Sequence, residues 1–255
     1  MFALICTGKE DVSDMAKAMR LDKFLCEMGF GSRSQIKNDL KKKQVTVNGQ
    51  TAIRPEQKID PESDSVCYKG QPVQYAAYVY YLLNKPAGCV SATEDASCKT
   101  VLDYLTGVAR KDLFPVGRLD KDTEGLLVLT NDGNLAHRLL SPKKHVPKTY
   151  YAKVAGCVQE EHIAQFAEGI SIGDEKPTLP ARLEILSSGE SSEILLTITE
   201  GRFHQVKRMF QAIGCEVTYL KRVSMGGLQL DGSLAPGEYR TLTEEEVALL
   251  QKGNP

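Results

Sequence analysis

Between Pro115 and Gly133 the chain reads PVGRLDKDTEGLLVLTNDG. Leu126 to Thr130 is a short unbroken apolar run of the kind that forms a buried strand, and Asn131-Asp132-Gly133 closes it with turn residues. Upstream lies a polar loop between two strands, which sets Asp120, just past the apolar Leu119, at the rim of a sheet. A carboxylate held there serves as nucleophile or general acid/base when a nearby cation keeps it ionised and aimed. D-x-D-T-x-G also describes a turn in which an aspartate bonds its own backbone. Residue chemistry alone does not choose between Asp120 and Asp122.

Outward from this loop, strands outnumber helices. Tyr78 to Leu83 is a β-rich run that enters the turn Asn84-Lys85-Pro86-Ala87-Gly88, and Tyr150 to Val154, Ala181 to Leu186 and Ile194 to Thr199 read as further strands. Thr100 to Leu105, Leu135 to Leu140 and Glu160 to Glu168 read as helices. Phe203 to Ile213 is another, with Phe203, Val206, Phe210 and Ile213 on one face. Strands and helices do not alternate strictly, which predicts an α+β domain on a largely antiparallel, mixed sheet.

A second, smaller module precedes it. Leu21, Phe24, Leu25 and Met28 recur at helical spacing, Gly29-Phe30-Gly31 stops that helix, and Ser32 is positioned to cap a second one from Ser34 to Leu40. Val45-Thr46-Val47 then alternates into an Asn48-Gly49 hairpin turn returning through Thr51-Ala52-Ile53. Gly70-Gln71-Pro72 reads as the linker between modules. The expected organisation is an N-terminal extension over 1–18, a first domain over 19–76 and a larger one over 77–255, with Met19 available as an alternative start.

A length of 255 residues matches two domains, and a composition of 42% apolar and 25% charged residues excludes disorder, collagen and coiled coil as readings of the whole chain. The longest apolar stretch, Ala76 to Leu83, falls far short of the roughly 20 residues of a membrane-spanning helix. Seven cysteines, an odd number with no C-x-x-C pair, argue against both a zinc site and a closed disulfide framework. Phe2 to Cys6 is too short for a signal core. The cytoplasm is the expected compartment.

The net charge of −1 conceals segregation. Arg20 to Arg54 carries eight Lys/Arg against three acids, His137 to Lys153 five bases and no acid, and Gly201 to Arg222 five bases and one acid, whereas Gly156 to Glu200 holds nine acids and two bases. Three basic stretches on one face would suit a polyanion; pointing apart, they are solvated surface. Phosphate-binding G-x-x-x-x-G-K and G-x-G-x-x-G spacings, a G-x-S-x-G elbow and an i, i+4 histidine pair are all absent, so nucleotide-loop, serine-hydrolase and helical-metal chemistries are disfavoured. What remains is an enzyme working with carboxylate, phenol and cation, or a binding protein.

Two resemblances sharpen this. RLDKFL at Arg20, Ser32-Arg33 on entry to the second helix, and VTVNG at Val45 are similar to the alpha-L RNA-binding domain first defined in a small-subunit ribosomal protein. By that resemblance Arg20, Lys23, Ser32, Arg33, Lys37 and Lys41 lie on structured RNA. Many relatives have Gly where this chain has Lys43. The stretch from Pro115, together with LNKPAG, KTY, EGRFHQVKRMF, GGLQLDG and LAPGEYR, resembles in order the signature motifs of the ribosomal small-subunit pseudouridine synthase A family, from Met19 to about Leu250.

That resemblance implies a cofactor-free isomerisation of one uridine to pseudouridine in 16S ribosomal RNA or an assembling small subunit. It places the catalytic aspartate at Asp120, the active-site tyrosine at Tyr150 and the basic partner at Lys207. Lys207 would pair with Asp120 and hold it ionised. Tyr150 would stack on uracil and move the C5 proton. Asp120 would attack C1′ of the ribose or the uracil ring, or assist loss of the base by proton transfer. The target nucleotide has to leave its stack, so Arg118, His204, Gln205 and Arg208 are candidates to grip phosphate or displaced neighbours, and the Asn84-Lys85-Pro86 turn would shape the rim. The alternatives are 23S RNA as substrate, or a non-catalytic assembly factor that retains the fold. A monomer with neither membrane nor metal partner is expected.

Overall fold

The computed structural model describes residues 18–73, 75–108, 110 and 112–252, so the expected extension falls, but for Ala18, outside them. The chain divides into two compact units. One comprises residues up to Ala77 together with Val108–Lys111, the other Tyr78–Gly107 and Asp112–Pro255.

In the first unit β1 (Met19–Arg20) runs into α1 (Leu21–Glu27), followed by α2 (Arg33–Lys41) and the strands β2 (Val45–Val47), β3 (Gln50–Thr51), β4 (Lys58–Ile59), β5 (Val66–Tyr68) and β6 (Gln71–Pro72). Leu21, Phe24 and Leu25 of α1 meet Ile36 and Leu40 of α2 over Val45, Val47 and Val66 in a closed core. Each such side chain contributes about 1.5–3 kcal/mol on burial. Ser32 caps α2: its hydroxyl accepts from the Gln35 amide while the Gln35 side chain accepts from the Ser32 amide. Gly70 is not in a linker. It sits at the turn of the β5–β6 hairpin, where Tyr68 pairs with Gln71 and the Lys69-Gly70 backbone is left-handed. Lys43 also holds a left-handed φ of 58° in the tight link from α2 to β2, a conformation that costs a side-chain-bearing residue more than glycine.

The second unit carries β7 (Tyr80–Lys85), β8 (Phe114–Pro115), β9 (Glu124–Thr130), α3 (Gly133–Leu140), β10 (Lys148–Ala155), α4 (Glu160–Glu168), β11 (Arg182–Ser187), β12 (Ser191–Ile198), α5 (Gln205–Ala212), β13 (Glu216–Met225), β14 (Leu228–Gln229), β15 (Tyr239–Thr241) and α6 (Glu244–Lys252). One sheet runs β11-β12-β10-β13-β9-β7-β15, with β14 against β13 and β8 against β9. All its pairings are antiparallel except β13 with β9, so the α+β expectation holds.

Leu126 to Leu129 are fully buried, as an unbroken apolar run at the centre of a covered sheet should be. Leu126 and Val128 pack with Leu135 and Leu139 of α3 and Leu250 of α6. Phe166 of α4 meets Phe210 of α5 at 5.2 Å between ring centroids. Gly125 lies where β9 and β13 come together: a Cβ built there would sit 2.2 Å from the Arg222 carbonyl oxygen, and its φ is 100°. Only glycine fits. Phe203 is not on the helix as its spacing suggested. It precedes α5 and is 74% exposed.

Candidate active site

The loop between β8 and β9 carries Asp120, and the protein fixes that loop from behind. Ser91 both donates its hydroxyl to the Leu119 carbonyl, at 2.9 Å, and accepts from the Leu119 amide, at 3.0 Å. Lys85, at the end of β7, is fully buried. Its Nζ donates to the carbonyls of Thr123 (2.8 Å), Asp120 (3.0 Å) and Pro86 (3.1 Å), with that of Lys121 at 3.3 Å. Three protons serve four carbonyls that would otherwise be desolvated without donors. Burial holds the Lys85 ammonium below its ordinary pKa. A lysine ending a strand of Tyr and Leu was a visible signal, yet its task as an anchor for Asp120 depends on contacts 35 residues away.

Asp120 presents its carboxylate to a cleft of about 580 Å³, lined by Val90–Ala92, Gly117–Lys121, Leu140 and Gly201–His204. Among the described residues it is the only carboxylate in that lining. Lys207 Nζ lies 3.7 Å from Asp120 Oδ2, and His204 Nε2 lies 3.7 Å from Asp120 Oδ1. Lys207 makes its shorter contacts elsewhere, 2.7 Å to each carboxylate oxygen of Asp122. That hydrogen bond holds the Asp122 carboxyl below its ordinary pKa. The expected Asp120–Lys207 pair is thus a cluster: one ammonium shared by a near, exposed carboxylate and a farther one in the cleft.

Tyr150 is buried on β10. The sheet sets it opposite Arg222 on β13, which in turn lies beside Gly125 on β9, five residues after Asp120. Tyr150 is not among the cleft-lining residues, and its hydroxyl makes no hydrogen bond among the described residues. Lys148, two residues before it, is also buried, with Nζ 3.0 Å from the Val146 carbonyl. Burial, and then the charge of Arg222, push its pKa down to about 8.

Five of the expected RNA-contacting side chains are engaged within the protein. Gln205 is buried, with its amide between the Arg202 backbone and Glu200. Arg208 binds the Ile172 and Phe203 carbonyls and Asp174. Arg20 forms a two-pronged pair with Asp22, at 3.0 and 2.8 Å, and the Ser32 hydroxyl is the α2 cap. Lys23 lies 3.5 Å from Glu27. Arg118 is exposed at the cleft, and His204 stacks on Phe203 with centroids 3.8 Å apart. Arg33, Lys37 and Lys41 recur every fourth residue along α2, all exposed. The sequence reading missed Asp122 as the partner of Lys207, and Phe203 as a cleft residue.

A carboxylate on an anchored sheet-rim loop, flanked by an ammonium and an imidazole and joined in one chain to a small basic domain, is the arrangement of an enzyme that acts on a polyanion. Residues 79–212 match the RNA pseudouridylate synthase family and residues 19–65 the S4 domain. The chain is 50% identical over 236 residues to an uncharacterized RNA pseudouridine synthase of Bacillus subtilis (strain 168), covering 92% of this chain and 99% of that one. It is 44% identical over 232 residues to ribosomal small subunit pseudouridine synthase A of Escherichia coli (strain K12), covering 90% and 99%. A crystal structure of a pseudouridylate synthase aligns with a TM-score of 0.65 at 40% identity, covering 91% of this chain and all of that one. The chain belongs to the RNA pseudouridine synthase family, and within it to the small-subunit synthase A type with an N-terminal S4 domain.

Proposed function

We propose that the protein isomerises one uridine of 16S ribosomal RNA to pseudouridine, with Asp120 as the catalytic carboxylate. The observation that carries the assignment of Asp120 is its position as the only carboxylate among the described residues lining the cleft, 3.7 Å from Lys207. The choice of small-subunit RNA follows the name of the Escherichia coli relative.

The reaction breaks the N1–C1′ bond and forms a C5–C1′ bond. C5 loses its hydrogen, N1 regains one, and no electron pair leaves the system. The chain therefore needs to position a sugar, hold a negative carboxylate beside it and move one proton. Asp120 supplies the carboxylate, Lys207 a cation beside it, and Tyr150 a hydroxyl that relays the C5 proton, its own proton passing to solvent as the new one arrives while N1 takes its proton from solvent. The exposed Arg33, Lys37 and Lys41 of the S4 domain supply phosphate contacts, and Arg118 another at the cleft. The thiols of Cys67, Cys89, Cys98, Cys157 and Cys215, not joined to one another, suit a reducing compartment.

Carbodiimide-probed primer extension on 16S and 23S transcripts and on partly assembled small subunits tests this. One new stop in 16S RNA, dependent on the protein, is the expected result. A stop confined to 23S RNA would reassign the substrate.

A further inference from the structure

Beside Asp120 stands a side chain that the chemistry above does not use. Phe203 is 74% exposed at the mouth of the Asp120 cleft, although large apolar side chains are ordinarily withdrawn from water. Its ring lies on the imidazole of His204, 3.8 Å between centroids and 17° from parallel, and His204 Nε2 is 3.7 Å from Asp120 Oδ1.

The backbone that presents this ring is tied to its surroundings by hydrogen bonds. His204 adopts a left-handed φ of 48°. The Phe203 carbonyl accepts from Arg208, at 3.1 Å, and the preceding Arg202 is fixed by Glu200 and by the Lys176 and Pro177 carbonyls. An apolar ring on a hydrogen-bonded mount, stacked on one face and open to solvent, is built to receive a second flat ring.

A uridine that enters the cleft leaves a gap in its own strand. An aromatic ring presented there stacks on the exposed neighbouring base and offsets part of the cost of extrusion. We infer that Phe203 is a wedge that stacks on the nucleobase next to the extruded uridine and holds the strand open during reaction at Asp120. This rests on the RNA substrate proposed above. Arg118 and Lys121, exposed residues of the same lining, complete the setting with cations for the flanking phosphates.

The test compares wild-type protein, Phe203→Ala and Phe203→Tyr in single-turnover reactions on two 16S-derived RNAs. In one the target uridine lies in its native structure; in the other it is presented as a single-nucleotide bulge, already free of its stack. Phe203→Ala should slow modification of the native-structured RNA by about 10- to 100-fold, the range that one lost base–aromatic stack allows. It should slow the bulged RNA less than about threefold, Phe203→Tyr should stay within about twofold of wild type, and the melting temperature should not move. Equal losses on the two RNAs, or none on either, would overturn the wedge. Absence of wild-type turnover on both would instead overturn the substrate reading together with the inference built on it.

Discussion

Lys207 extends its ammonium between two aspartates, 2.7 Å from both oxygens of Asp122 and 3.7 Å from the nearer oxygen of Asp120. Asp122 is the more exposed of the two, with 72% of its side chain accessible against 28% for Asp120. The shorter pair is therefore the one that water screens more, and the longer one the more useful to chemistry in the cleft. Asp122 keeps Lys207 extended toward the loop, and Lys207 brings a positive charge to Asp120 at the cleft. Replacing Lys207 by Met should lower kcat by about 100-fold or more, in the range seen when a fixed charge-stabilising group is lost from an active site. Asp122→Asn should cost less than about tenfold, because an exposed pair contributes about 1 kcal/mol or less. Single-turnover rates of the two variants check this, and a reversed order would reassign the roles.

Lys148 gives the fold a pH signature. Its pKa falls from the ordinary 10.5 to about 8 because the charged form is buried against one carbonyl and near Arg222. Between those values the unfolded chain retains a proton that the folded chain has released, so stability rises with pH from about 8 to about 10.5. Lys148→Met should abolish that rise and stabilise the protein at pH 7 by up to about 3 kcal/mol. Urea unfolding of both proteins from pH 7 to 11 measures it; parallel curves would show that Lys148 is not the titrating group.

In the S4 domain, cap and charge separate cleanly. Arg33→Ala with Lys37→Ala should weaken RNA binding and reduce the slope of log K against log salt by about 1 to 2, as expected for two lost phosphate contacts. Ser32→Ala removes the α2 cap instead, lowering stability by about 1 kcal/mol without changing the slope. Binding titrations from about 50 to about 300 mM salt, over which the Debye length falls from about 14 to about 6 Å, distinguish them. An unchanged slope in the double variant would remove this face of α2 from the RNA interface.

The parts legible in the sequence were those governed by local rules. α1 and α2 followed from apolar spacing, two glycines and a serine cap, and β9 from an unbroken run of Leu and Val. The ten-residue β13 was overlooked because Lys221 and Arg222 interrupt its apolar alternation. Arg222 is nevertheless 2% exposed, with Nε bonded to the Leu126 carbonyl across the sheet. Arg208 and Gln205 looked like free polar groups because their partners, Ile172, Asp174 and Glu200, lie on other turns of the chain. Lys207 was placed in the site by its motif. Its sharing between Asp120 and Asp122 depends on how a loop and a helix 85 residues apart come together. The motifs gave the chemistry, while the allocation of each cation required the fold.

The most direct test of the central claim is release of tritium from RNA carrying uridine labelled at C5, a hydrogen that is lost only when C5 becomes bonded to the sugar. The measurement compares wild-type protein with Asp120→Asn at equal binding saturation on the 16S transcript. Steady release by the wild type, and none above background for Asp120→Asn while RNA affinity stays within about threefold, is the result this account predicts. Release by Asp120→Asn at the wild-type rate would contradict it and remove Asp120 from the reaction.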